Sequence, residues 1–263
     1  MEQTKTSNPL LDRIRMPGET FRLPSGALFY PKESGILDSS VADGELHVHP
    51  MTALDEIALK TPDLLFSGKA VEQVFGRCIP DVKDPKRLLA KDVDFLLVAL
   101  RKVSYGPEME LQYTHTCEKA KSHTYKASVD GFIKKTKRID PTRVTSDFIV
   151  NLTNDQIVKM VPLNFGSFVE LMQANEQELE PEELAKRLYS SISKLISSVD
   201  GIEDAGMIVE WLSKLPPVLM KQITESVEKT TEWGPDFHVA IKCKDCGQEE
   251  SVQAPLNPLA FFT

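Results

Sequence analysis

Apolar residues recur along this chain with two different periods, and the switches between them outline its elements. Residues 44–50, GELHVHP, alternate Leu46 and Val48 with His47 and His49, the two-residue period of a strand whose histidines face solvent. Just upstream, FRLPSGALFY (residues 21–30) is two short apolar pieces around Pro24-Ser25-Gly26, which is hairpin-like turn chemistry. From Ala53 the period lengthens to that of a helix. Thr52 precedes ALDEIAL with Asp55 at the third helical position, a capping arrangement. Thr61-Pro62-Asp63 starts a short second helix, proline being tolerated at the first helical position. Residues 69–78 put Ala70, Val71, Val74, Phe75 and Cys78 on one face, so Cys78 reads as a small buried hydrophobe. Residues 90–103 predict the most apolar helix, with Asp92 and Asp94 near its start, where the helix dipole favours negative charge. Tyr105-Gly106-Pro107 stops it.

Beyond that stop, residues 109–116 and 123–130 read as strands joined by a turn over 117–122. Residues 131–147 are basic and irregular. A hairpin follows around Asn154-Asp155, from strands over 148–152 and 157–162. Four helices are predicted next, over 165–174, 181–199, 203–215 and 217–230, the third carrying Met207, Ile208, Trp211 and Leu212 on one face. Strands over 237–242 and 251–254 then flank a final turn. The pattern is α+β: helical regions combined with short antiparallel β-hairpins and a split zinc-ribbon-like module. It divides the chain into an N-terminal flexible arm (1–20), a β-hairpin plus helical region (21–108), the split β module (109–130 and 236–263) and an inserted hairpin and helical lobe (131–235). Leu10, Leu11 and Ile14 could anchor the arm, and the terminal Phe261-Phe262 is expected to pack on its own domain or a partner.

The final turn is Cys243-Lys244-Asp245-Cys246-Gly247, a spacing that presents two thiolates to one tetrahedral metal, with glycine allowing the tight backbone. Two ligands do not close such a site. Cys117, in the turn between the earlier strands, supplies a third, but Ala120 stands where its cysteine partner is expected. His123, just past the turn, is the favoured substitute, giving Zn2+ on Cys117, His123, Cys243 and Cys246. His115, two residues before Cys117, is the other choice. A four-ligand site leaves no open position for substrate, so the zinc would be structural and would pin the two halves of the module together.

The remaining features narrow the function. Four cysteines, two of them in this spacing, read as metal-binding rather than as a disulfide framework. A net charge of −8 opposes broad nucleic-acid binding, although Lys134-Lys135-Thr136-Lys137-Arg138 is a local basic run that a nucleic-acid-binding zinc-ribbon adaptor would use. No signal peptide is expected, and no run of about 18 apolar residues predicts a membrane span. Phosphate-cradling glycine loops, a nucleophile elbow and a His-Glu-x-x-His helix are all lacking, so the sequence predicts no enzyme.

Leu23-Pro24-Ser25-Gly26 through Tyr30, Met51-Thr52-Ala53-Leu54-Asp55-Glu56, Pro62-Asp63-Leu64-Leu65 with Gly68, and residues 92–106 form a set of runs. Together they resemble the baseplate-hub family of contractile-tailed bacteriophages of the T-even type. The cysteine knuckles and Leu256-Asn257-Pro258 with Phe261-Phe262 complete the likeness, while Ala120 departs from it. The resemblance implies a non-enzymatic hub subunit or chaperone-like hub assembly protein. It would bind other phage baseplate hub or tail proteins, with self-association left open. It would act in the virion's tail baseplate or in the host cytoplasm during assembly.

Overall fold

Strand β1 (Glu19–Arg22) finds its partner some twenty residues on, in β2 (Glu45–Val48), with Phe21 opposite Leu46. The nearer apolar piece expected to form its hairpin instead closes a series of tight turns over 24–29. The computed structural model describes residues 17–117, 121–144, 148–174 and 181–254. The anchors Leu10, Leu11 and Ile14, residue Ala120 and the terminal Phe261-Phe262 therefore lie outside the described residues.

Three helices follow β2: α1 (Ala53–Lys60), α2 (Pro62–Phe66) and α3 (Lys69–Cys78). The Asp55 carboxylate accepts from both the N–H and the hydroxyl of Thr52, at 2.8 and 2.7 Å, and pairs with Arg77. One acid thus caps α1 and ties it to α3. Helix α4 (Ala90–Tyr105) runs through the middle of a first hydrophobic core, which gathers buried residues from Phe21 to Ala254. Phe95 to Leu100 are all buried, as expected of a helix enclosed on every side. Each Phe, Leu or Val side chain among them contributes roughly 1.5–3 kcal/mol on leaving water.

Asp92 lies in the first turn of α4, as expected, and it also does more than meet the helix dipole. It is fully buried and accepts from the Ser25 N–H (3.1 Å), the Ser25 hydroxyl (2.6 Å) and the Tyr30 hydroxyl (2.6 Å). The Tyr30 oxygen in turn accepts from the Leu89 N–H at 2.8 Å. The network fastens the turns after β1 to the start of α4. Burial outweighs its hydrogen bonds and raises the Asp92 carboxyl to about 6.

Next come β3 (Glu108–Thr114), β4 (Ser122–Ser128) and α5 (Val129–Lys135). Helix α5 replaces the irregular chain expected there. The Ser128 hydroxyl accepts from the Gly131 N–H at 3.0 Å, and Val129 and Phe132 face the first core.

A second core lies between Phe148 and Ile223 in sequence. It covers one three-stranded antiparallel sheet, in the order β5 (Ile149–Asn151), β6 (Ile157–Met160) and β7 (Ile196–Val199). Against it pack α7 (Pro181–Ser193), α8 (Ala205–Ser213) and α9 (Pro217–Thr230). The helix expected to reach residue 199 ends at Ser193. The Ile-Ser-Ser-Val run that follows is captured by the open edge of β6, whose chain also bonds Leu195 through the Val161 N–H at 2.8 Å. Ile208 and Leu212 of α8 are buried, but Met207 points outward.

Helix α6 (Phe165–Ala174) does not join this core. The Phe165 N–H donates to Leu88 at 2.7 Å, the Ala90 N–H donates to Leu163 at 2.8 Å, and Phe165 is buried in the first core. Two further crossings join the cores. Lys137 and Gly234 exchange both backbone hydrogen bonds, at 3.0 and 2.8 Å, and the Ile139 N–H donates to Pro24 at 3.0 Å. After the Gly234 crossing the chain enters β8 (His238–Lys242) and β9 (Glu249–Gln253).

Candidate metal centre

The two hairpins, β3–β4 and β8–β9, share a core of three buried residues, Leu111, Ile241 and Val252, with Tyr113, Tyr125 and Val239 packed around it. Alternation along β3 puts Met109, Leu111 and Tyr113 on one face, and His115 continues that row. Along β8 the same rule lines up Val239, Ile241 and Cys243. The two rows converge at their ends. Two-stranded hairpins are only marginally stable alone, so a core this small asks for another fastening.

Where the rows converge stands a cluster of donors. His115, Cys117, Cys243 and Cys246 each offer a ligand atom, and the four atoms lie within 4.8 Å of one another. Among the described residues it is the one group of three or more His, Cys, Asp or Glu so placed. The Cys243 N–H donates to Gln248 at 2.8 Å and the Gly247 N–H returns to Cys243 O at 2.9 Å, with Gly247 in the left-handed region at φ 77°. On the other side the Cys117 N–H donates to His115 O at 2.9 Å. Amide groups of the turn, first that of Cys246 and then that of Asp245, favour the Cys243 thiolate and lower its pKa. The Gln248 amide does the same for Cys246, but desolvation and the neighbouring Cys243 sulfur outweigh it and raise that thiol. A cation between the sulfurs would relieve this opposition. Three sulfurs and one imidazole are the donor chemistry of a closed structural zinc site.

The histidine in the cluster is His115. His123, the favoured fourth ligand from sequence, sits one pair back in the ladder, opposite Tyr113, and its Nε2 is 2.7 Å from Asp245 Oδ2. It latches the knuckle instead of joining the donors. Lys244 adds a second latch, donating to Thr124 O at 2.6 Å with its ammonium 5.2 Å from the centre of the Tyr125 ring. His47 and His49 stack edge to face at 4.6 Å, and the one such donor cluster among the described residues does not include them. The basic run from Lys134 to Arg138 begins at the end of α5, at the opposite end of β4 from the knuckle, roughly 20 Å away along a seven-residue strand.

Among the described residues no helix is long and apolar enough to cross a membrane. The family model described as T4 bacteriophage base plate protein matches residues 47–263. No curated protein and no solved structure matches the chain.

Proposed function

Because the chain belongs to the T4 bacteriophage base plate protein family, we propose that it is a non-enzymatic structural or assembly component of the baseplate hub, acting by binding other tail proteins. The family match, which covers the second core, the donor cluster and most of the first core, carries this reading. The donor cluster supports the non-catalytic part. With four protein ligands on one Zn2+, the site has no open position for substrate or water, and the metal's work is to hold β3–β4 against β8–β9. Exposed apolar side chains support the binding part: Leu54 and Ile57 on α1, Phe66 on α2, Phe168 and Met172 on α6. The Gln173 amide reaches Phe66 O at 3.2 Å, which brings the last two helices together at the surface.

The protein would work in the phage tail, and in the host cytoplasm while the hub is being built. Mass spectrometry of purified tails and of hub intermediates tests this. The protein is expected in one or both, and its absence from both refutes the proposal. Leu54→Asp with Phe66→Asp should weaken capture of the hub partners while leaving circular dichroism unchanged; undiminished capture removes these helices from the binding surface.

A further inference from the structure

We propose that Glu250 and Tyr113 are positioning residues of the metal centre, holding His115 in the tautomer that presents Nδ1 to the metal. This rests on the zinc reading above. The His115 ring is 8% exposed, and its Nδ1 lies 3.5 Å from Cys246 Sγ. Zinc bonds of about 2.3 Å to sulfur and about 2.0–2.1 Å to nitrogen, at a tetrahedral angle, set those two ligand atoms about 3.6 Å apart. Nδ1 therefore already stands at ligand spacing. Nε2 points the other way, 3.6 Å from Glu250 Oε2.

A metal-bound neutral imidazole keeps its one remaining proton on the distal nitrogen. A carboxylate facing that N–H fixes the ring's orientation and tautomer and makes the ligating nitrogen more basic. The same Glu250 oxygen accepts the Tyr113 hydroxyl at 3.0 Å, so the carboxylate is itself held. Tyr113 stands two residues before His115 on β3, and Glu250 faces Ile241 across the β8–β9 ladder. Both supports thus come from strands that frame the site. The other nearby carboxylate, Asp245, is engaged by His123, which leaves Glu250 to serve His115.

The test uses the full chain. Zinc affinity is measured by competition with a chromophoric chelator at fixed pH for the wild type, Glu250→Gln, Tyr113→Phe and Glu249→Gln. Long-range proton–nitrogen spectra of the zinc-loaded wild type read the His115 tautomer directly. Expected are metal on Nδ1, a proton on Nε2, and zinc binding about 10–100-fold weaker in Glu250→Gln. Tyr113→Phe should lose less, and the exposed neighbour substitution Glu249→Gln should change nothing. Metal on Nε2, unchanged affinity in Glu250→Gln, or an equal loss in Glu249→Gln overturns the proposal while zinc binding by the wild type stands. A wild type that binds no zinc overturns the metal reading and this inference with it.

Discussion

Asp92→Asn should remove a specific slope from the stability–pH curve. In the fold Asp92 is fully buried, and its carboxyl is raised from the ordinary 3.8 to about 6 because burial penalises the charge more than three donated hydrogen bonds favour it. The folded state therefore binds this proton more tightly than the unfolded chain does. Its stabilising contribution is fully present below the ordinary pKa and is lost as pH rises through about 6. Linkage puts the loss between about pH 4.5 and about pH 7.5 at ~2 kcal/mol. Burial raises Asp94 to about 6 as well, while other carboxylates pull the opposite way. The Ser40 N–H and hydroxyl, with Lys83, hold Asp38 at about 2, and Thr52 and Arg77 outweigh burial to hold Asp55 low. Their stabilisation is present at neutral pH and lost on acidification. They are common to both proteins, so the difference between wild type and Asp92→Asn isolates the one group. Urea denaturation at the two pH values, with a chelator present so that metal release does not contribute, gives that difference. Parallel profiles for the two proteins would refute the claim that a buried, proton-hungry acid anchors the turns after β1 to α4.

Three further outcomes follow from the same structure. Metal analysis of purified protein should find about one zinc per chain, abolished by Cys243→Ser; full occupancy surviving Cys117→Ser would disprove the shared site. His115→Ala should lose the metal, whereas His123→Ala should keep it and melt earlier through loss of the Asp245 latch, and the reverse result would restore His123 as the ligand. Leu96→Ala in the first core and Ile223→Ala in the second should each cost about 2–5 kcal/mol in denaturant unfolding, since both side chains are fully enclosed.

What could be read from the sequence was local. The Thr52–Asp55 cap, the glycine stop after α4 and the Cys243–Cys246 turn all depend on neighbours a few residues apart, and each is found where its spacing put it. What escaped depended on partners far along the chain. Residues 196–199 continue a helical pattern, and only the waiting edge of β6 makes them a strand. The partner of β1 is chosen by register with β2 across a long loop, not by the nearest turn chemistry. Asp92 looks like an ordinary helix-start acid until Ser25 and Tyr30 close over it. His115 and His123 both face the small core of the split module. Which of them stands among the sulfurs follows from how far each lies along the ladder, and spacing from Ala120 does not report that distance.

The stitching of the two cores has a mechanical consequence. The chain crosses between them at Lys137–Gly234, at Ile139–Pro24, and again where Leu163 and Phe165 return to Leu88 and Ala90. A tensile load drawing the cores apart would be shared among separate anchorages instead of peeling one seam bond by bond. Rotation about any one crossing is checked by the others. Such a joint couples the two cores through several separated backbone contacts, so that neither half turns freely on a single hinge.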